Sequence, residues 1–191
     1  MLHDLIVKNR SYRRFAENQR LRREDLLALL NNARLSPSAM NRQPLRYRLV
    51  YTKEECDLVF PHTRWGGYLK TWPGPAPGQR PAAYLIMCLP REAGPMQFID
   101  TGIAAQSILL AAAEQAWGGC MLGSVNKDEV RRTFRLPEEL EIALVIALGV
   151  PAEQVVLDPA RADGSIEYWR DGEDIHHVPK LDLEDLLIPE V

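Results

Sequence analysis

The strongest constraint on the fold is an apolar, alanine-rich stretch in the middle of the chain, from Ile99 to Trp117. Its polar and charged side chains are Asp100, Thr101, Gln106, Ser107, Glu114 and Gln115. Because so many polar groups are unfavourable inside a lipid bilayer, the stretch predicts a buried helix from about Gln97 to Trp117 and no membrane partner. A helix that is apolar on all sides is difficult for a chain of 191 residues to cover alone, which favours a second subunit.

Three other segments predict the strands that such a helix covers. Ala82–Leu89 and Glu141–Val150 are continuous apolar runs, typical of buried strands, and Leu45–Tyr51 alternates apolar and basic residues. Helical spacing of apolar residues is found at 2–9, at 23–34, and from a cap at Asn126 to Phe134. These elements predict an α+β or α/β domain in which helices flank a sheet.

Composition narrows the class of protein. A charged fraction of 26% beside 46% hydrophobic residues is typical of a folded chain, and the length predicts one domain over residues 1–191. A net charge of −3 argues against a nucleic-acid partner. Cys56, Cys88 and Cys120 form neither a CxxC pair nor an even set, so a disulfide framework and a zinc site are not predicted. This cysteine usage suits a reducing compartment and predicts a cytoplasmic protein.

The charge is unevenly distributed along the chain. Residues 1–50 contain eleven Lys or Arg and four Asp or Glu, whereas residues 151–191 contain three basic and eleven acidic residues. The basic part either holds an anionic ligand or faces the acidic tail, and charge alone favours the second interpretation. The tail, 152–191, also loses regular periodicity, so we predict irregular structure there apart from a short helix near Leu183–Leu187.

A basic segment follows the first helix. Arg10 and Arg13 are three residues apart, with Ser11 between them, and guanidinium groups match phosphate or carboxylate oxygens. The alternative is a solvated basic helix end, which suits the helix dipole without a ligand.

Two other segments are candidates for contacts with a flat ligand. The polar loop 36–44 contains Asn41 and Gln43, whose amides both donate and accept hydrogen bonds; the alternative is an ordinary capped turn. Gly118–Ser124 is rich in small residues, which allow close approach of the backbone; the alternative is a helix C-cap followed by a tight loop. No histidine has a spacing to Cys120 that predicts a catalytic thiol.

The tail contains two further polar features. His176 and His177 are adjacent but have no companion ligand motif, so we predict no metal site. Lys180 is an isolated base among acidic residues, which favours a specific anionic partner.

The order and spacing of these segments resemble the nitroreductase family of FMN-dependent flavoproteins over residues 2–151. The matching motifs are Asn9-Arg10-Ser11-Tyr12-Arg13-Arg14-Phe15, Pro37-Ser38-Ala39-Met40-Asn41-Arg42-Gln43-Pro44, the helix from Asp100 to Leu110, the glycine-containing loop that ends at Gly123, and Leu148-Gly149-Val150-Pro151. Asn9 replaces a family arginine, and Leu45 replaces a family aromatic residue. The resemblance implies an α+β fold with a central, mostly antiparallel sheet flanked by helices, in an intertwined homodimer.

The resemblance also implies roles for particular residues. Arg10, Ser11 and Arg13 would hold the FMN phosphate and ribityl chain, and Lys180 matches a family base that contacts the phosphate. A second set would line the ring from the partner subunit: Pro37, Ser38, Met40, Asn41 and Gln43. A third set would offer backbone contacts near the flavin N5 and O4 edge: Cys120, Met121, Leu122 and Gly123.

The implied activity is reduction of a small-molecule electron acceptor such as a nitroaromatic, a quinone or another conjugated electrophile. NAD(P)H would deliver a hydride to flavin N5 and then leave before the acceptor binds, in a ping-pong cycle that requires neither a protein nucleophile nor a metal. The alternatives are an FMN-binding carrier or redox sensor without NAD(P)H turnover, and an anion-binding structural protein without a cofactor.

Overall fold

The computed structural model describes residues 1–189. Five helices are formed by Leu2–Lys8 (α1), Arg23–Leu35 (α2), Lys53–Val59 (α3), Pro95–Glu114 (α4) and Lys127–Phe134 (α5). Seven strands are formed by Arg46–Val50 (β1), Ala83–Pro90 (β2), Gly118–Leu122 (β3), Leu140–Gly149 (β4), Val155–Pro159 (β5), Trp169–Arg170 (β6) and His176–Lys180 (β7). Short 3₁₀ turns occupy Ala39–Asn41, Phe60–His62 and Glu184–Leu186.

The central sheet has four strands in the order β1-β2-β4-β3, and each neighbouring pair is antiparallel. The two inner strands, β2 and β4, are the two apolar runs seen in the sequence, and β2 is buried along nearly all its length. Burial on both faces explains why these strands contain apolar residues at successive positions. The predicted α+β class and antiparallel sheet are therefore confirmed.

Each face of the sheet packs against helices. On one face Leu85 and Ile146 contact a cluster that includes residues of α2 and α4. On the other face Ile86 and Val145 pack with Phe15, α3 and α5. A fully buried aliphatic side chain of this kind contributes about 1.5–3 kcal/mol relative to its exposed state. Apolar burial therefore holds the sheet between its two helical layers.

Helix α4 is shorter than predicted at its carboxyl end. It ends at Glu114, Ala116 takes a left-handed φ of 57°, and Gly118 and Gly119 begin strand β3. The alternative interpretation, in which these glycines form a helix cap and a tight loop, was wrong, because they belong to a strand. Close packing explains them: a Cβ on Gly118 would lie 2.4 Å from the Tyr12 ring, and one on Gly119 would lie 2.6 Å from the Ala147 carbonyl oxygen.

Among the described residues, one side of α4 is covered and the other is exposed. Ala105 and Ile108 are buried, whereas Phe98, Ile99 and Ile103 are exposed. In length and composition this helix meets the criteria for a membrane span, as do the core helices of many folded proteins. Its buried side packs in the core with α2, so the uncovered side is an apolar surface on a folded domain.

The tail is more ordered than predicted. Strands β5 and β7 pair in parallel, and β6 pairs antiparallel with β7, giving a second sheet of three strands. The predicted irregular tail, 152–191, was therefore wrong for these strands, and residues 190 and 191 lie outside the described part. The predicted short helix near Leu183–Leu187 is the 3₁₀ turn Glu184–Leu186. Strands of two to five residues are too short to show a clear apolar alternation, which is why the sequence pattern did not predict them.

Candidate functional site

A pocket of about 320 Å³ lies where the amino-terminal segment meets strand β3 and the tail. Its lining consists of Asn9, Arg10, Ser11, Arg13, Gln106, Leu109, Gly119, Met121, Tyr168, Val178 and Lys180. We call it the basic pocket, because that lining contains three cationic side chains and no carboxylate. The structure thus brings together five of the predicted site residues: Arg10, Ser11, Arg13, Met121 and Lys180.

The amino-terminal segment, residues 9–15, is held against the central sheet by its backbone. Ser11 forms a parallel bridge with Gly119, and the Tyr12 N–H donates to the Gly119 carbonyl at 3.0 Å. Gly118 allows this approach, since any side chain there would clash with Tyr12. The two glycines therefore place Arg10 and Arg13 beside β3.

Arg10 has a buried donor that no described residue pairs with. Its Nη2 donates to the Ile6 carbonyl at 2.5 Å, while its Nε is buried and makes no hydrogen bond with any described residue. Burial lowers the pKa of this guanidinium, because the charged form loses hydration. An oxyanion in the basic pocket would offer such a group both a hydrogen-bond acceptor and an opposite charge. This chemistry fits a phosphate.

Arg13 lies between neutral groups. Its guanidinium carbon is 4.6 Å from the centre of the Tyr168 ring, and its Nη1 donates to the Ser11 carbonyl at 3.1 Å. The same Nη1 is 3.0 Å from Nε2 of His176, which is fully buried. Burial, followed by the charge of Arg13, lowers the pKa of His176 to about 4. At neutral pH the imidazole is therefore uncharged and accepts the hydrogen bond from Arg13.

The tail also fixes the backbone beside Arg13. The carboxylate of Glu153, whose side chain is 1% exposed, accepts hydrogen bonds from the backbone N–H groups of Arg13 and Arg14 and pairs with Arg170. Arg14 pairs with Asp174. The sequence left open whether the basic amino-terminal part faces the acidic tail or an anionic ligand. The structure shows both arrangements, since Arg14 faces the acidic tail whereas Arg10 and Arg13 face the basic pocket.

The predicted ring-binding loop lies outside the basic pocket. None of Pro37, Ser38, Met40, Asn41 and Gln43 lines that pocket in the described chain; the loop borders other cavities instead. Pro37, Ser38 and Gln43 border a cavity of about 240 Å³, and Met40 is 83% exposed beside another. A single chain therefore brings together only part of the predicted set.

The same loop, residues 37–43, has an unusual backbone conformation, which is held by a hydrogen bond within the loop and by another to helix α4. Met40, Asn41 and Gln43 have φ values of 53°, 52° and 46°, in the left-handed region. Ser38 Oγ accepts from the Gln43 N–H at 3.1 Å, and the buried Asp100 accepts from the Ala39 N–H at 2.9 Å. Such conformations are unfavourable for residues other than glycine and cluster at functional sites.

Strand β3 presents its side chains alternately. Cys120 and Leu122 are buried, whereas Met121 is 39% exposed and lines the basic pocket; Gly123 follows with open space around it. Burial raises the pKa of the Cys120 thiol, so this side chain is poorly suited to act as a nucleophile. Any ligand contact from Cys120 or Leu122 would come from the backbone, as predicted.

Some residues at this site were not among those predicted. Tyr168, His176 and Glu153 come from the tail, where the sequence showed no pattern that linked them to residues 9–15. Gln106 had a weak signal, because it is a polar residue in an otherwise apolar helix, and it lines the basic pocket.

Comparison with known proteins shows which family the chain resembles. The model of the nitroreductase family matches residues 6–150. The chain is 27% identical over 167 residues to iodotyrosine deiodinase from Thermotoga neapolitana, covering 79% of this chain and 89% of that protein. It is also 27% identical over 158 residues to a protein assigned as an NADH dehydrogenase/NAD(P)H nitroreductase from Archaeoglobus fulgidus, covering 78% and 85%.

Solved structures show the same fold. A structure from Desulfovibrio desulfuricans, assigned as a nitroreductase in complex with FMN, has a TM-score of 0.72 and 24% sequence identity. That alignment covers 100% of this chain and 96% of the other, so it includes the second sheet as well as the core. From the family match over most of its length, this chain belongs to the nitroreductase family.

Proposed function

We propose that the protein is an FMN-dependent oxidoreductase that takes electrons from NAD(P)H and reduces a small conjugated electrophile such as a nitroaromatic or a quinone. The observation that carries this proposal is the basic pocket, in which Arg10, Arg13 and Lys180 converge and to which residues 1–189 contribute no acidic side chain. The FMN complex of the structural relative and the NAD(P)H nitroreductase assignment of the sequence relative support the choice of cofactor and donor.

The residues of this chain would bind the cofactor and exclude water from it. Arg10, Ser11, Arg13 and Lys180 would hold the phosphate, because charged hydrogen bonds to its oxygens are the strongest contacts available there. When bound, FMN would supply the redox chemistry between NAD(P)H and the acceptor, so the protein needs no nucleophile of its own.

The proposal includes a homodimer. The 37–43 loop lies outside the basic pocket of its own chain, and the exposed apolar side of α4 includes Phe98, Ile99 and Ile103. A second copy that covers this side would remove apolar surface from water and bring its own 37–43 loop to the ring.

The cofactor is tested by purification and release. The protein should purify with a flavin absorbance spectrum, and mass spectrometry of the released cofactor should identify FMN. Stoichiometric FAD, or a colourless protein that gains no flavin spectrum when FMN is added, would contradict the proposal.

Turnover is tested by steady-state oxidation of NADH and of NADPH with menadione or a nitroaromatic compound as acceptor. An oxidoreductase consumes the donor continuously. Flavin bleaching without turnover would instead support the alternative of a flavin carrier or redox sensor.

The dimer is tested by light scattering combined with flavin absorbance over a dilution series. Ile99→Lys places a charge on the exposed side of α4 and should weaken both dimerisation and flavin retention. Leu58→Lys, an exposed position on α3, is the matched control. A monomer that keeps FMN bound would contradict this part of the proposal.

A further inference from the structure

Arg13 differs from its basic neighbours in the charge of its partners. Arg14 is paired with Asp174, and Arg170 is paired with Glu153. Arg13 instead contacts a carbonyl oxygen of Ser11, the ring of Tyr168 and the imidazole of His176. The nearby carboxylates are thus used by other groups, and Arg13 keeps a positive charge that no described side chain neutralises.

The position of His176 explains how the Arg13 guanidinium is held in place and yet keeps its charge for an anionic ligand. An arginine has considerable rotamer entropy, so a guanidinium that is already oriented loses less freedom when it binds an anion. A carboxylate at position 176 would also orient Arg13, but it would pair with the guanidinium and compete with the ligand for its charge. A neutral imidazole offers an acceptor without that competition.

The packing around His176 keeps it in this neutral role. The side chain is fully buried, its ring lies 5.2 Å from the ring of Tyr168, and Arg13 donates to its Nε2. Arg170, His177 and Arg14 are the other groups whose positive charge acts on it. Because cations surround the imidazole of His176 and no described acidic residue contacts its ring, protonation of the imidazole is unfavourable.

We propose that His176 is a positioning residue for phosphate recognition, which orients the Arg13 guanidinium toward the basic pocket without neutralising it. The inference rests on the proposed function, because the phosphate in question is that of FMN. It assigns a role in ligand selection to the tail, beyond the contact expected from Lys180.

The test compares FMN with riboflavin, which lacks the phosphate, in fluorescence titrations of the apoprotein. In His176→Leu the FMN dissociation constant should rise about tenfold, because one hydrogen bond that orients Arg13 is lost, while that of riboflavin stays unchanged. His176→Gln retains an acceptor at similar reach and should restore most of the preference for FMN. His177→Leu is the matched control, since His177 contacts Asp158 and Asp171 rather than Arg13.

A second variant guards against a folding defect in His176→Leu. Tyr168→Leu removes the ring under Arg13 at a half-buried position and should also lower the FMN preference, whereas Tyr168→Phe should keep it. Thermal melting accompanies each titration. A folded His176→Leu or Tyr168→Leu protein with the wild-type ratio of FMN to riboflavin affinity would overturn this inference while leaving the proposed function intact. A wild-type protein that binds neither flavin would overturn both.

Discussion

Each of the two sheets of this protein is held in the fold by a different kind of interaction. The central sheet places Leu85, Ile86 and Ile146 in apolar clusters on its two faces, where these side chains are fully buried. The tail is attached by polar contacts, such as Glu153 with the backbone N–H groups of Arg13 and Arg14, and Asp174 with the side chain of Arg14. Its aromatic residues also face cations: Arg161 lies 4.3 Å from the ring of Trp169.

This difference separates folding from recognition. Apolar burial is non-directional and tolerates small changes of shape, which suits a scaffold. Charged hydrogen bonds are directional, and removing one partner of a buried ion pair is strongly destabilising because it leaves the other charge uncompensated. We therefore expect substitutions in the tail to change ligand selection as well as stability, and substitutions in the central sheet to change stability alone.

The largest effect is expected from Glu153→Ala. This change leaves two backbone N–H groups without their acceptor and leaves Arg170 with only its longer contacts to Asp174, so the unfolding free energy should fall by about 3–5 kcal/mol. Urea denaturation measures the loss. Glu167→Ala, an exposed carboxylate in the same tail, is the control and should leave stability almost unchanged. An equally small effect of both changes would contradict the picture of a tail held by polar contacts.

The next effect concerns binding. Arg13→Ala removes a charged contact worth about 1.5–3 kcal/mol, which corresponds to about a ten- to hundredfold rise in the FMN dissociation constant. Riboflavin should bind the variant and the wild type almost equally. Equal FMN affinity in both proteins would mean that Arg13 only packs on Tyr168 and has no role in recognition.

A smaller effect is expected from Ile86→Val in the central sheet. Removing one methylene from this fully buried position should lower the unfolding free energy by about 0.5–1.5 kcal/mol, and the loss should be the same in 1 M salt. The FMN to riboflavin ratio should stay at its wild-type value. A change in that ratio would show that the scaffold and the recognition region are coupled.

The smallest effect is a pH dependence from His177. Hydrogen bonds to Asp171 and then Asp158 raise the pKa of this imidazole above its ordinary value of 6.5. A raised pKa stabilises the folded state fully below the unfolded pKa, and this stabilisation is lost as pH rises through the folded pKa. Thermal melting of His177→Gln from pH 5.5 to 8.5 should therefore show a flatter profile than the wild type. Parallel profiles would show that these contacts do not favour the charged imidazole.

The sequence predicted the parts that apolar patterns determine. The runs at Ala82–Leu89 and Glu141–Val150 are strands β2 and β4, and Asn126 caps α5 by accepting from the Glu129 N–H at 3.3 Å. Strand β3 was missed because two of its five residues are glycines, which ordinarily end helices and form turns. Their close packing against Tyr12 and Ala147 cannot be seen without the three-dimensional neighbours.

The candidate site was predicted in the same uneven way. Motif spacing identified Arg10 and Arg13, and Lys180 was identified as an isolated base in the acidic tail; the structure places all three in one pocket. Motif spacing missed His176 and Glu153, because each acts through a contact with a residue more than a hundred positions away. Such polar contacts leave no periodic trace in the chain, and their partners become neighbours only when the tail sheet packs against residues 9–15.

The basic pocket is built from residues near both ends of the sequence, and this has a consequence for the order of events in synthesis. At a translation rate of about 5–20 residues per second, about 8–30 s separate the incorporation of Arg13 from that of Lys180. Arg10 and Arg13 thus emerge early but lack Tyr168, Val178 and Lys180 until the tail is made. Cofactor capture would therefore follow the synthesis of β7, and a chain interrupted before β7 would contain the central scaffold without a complete pocket.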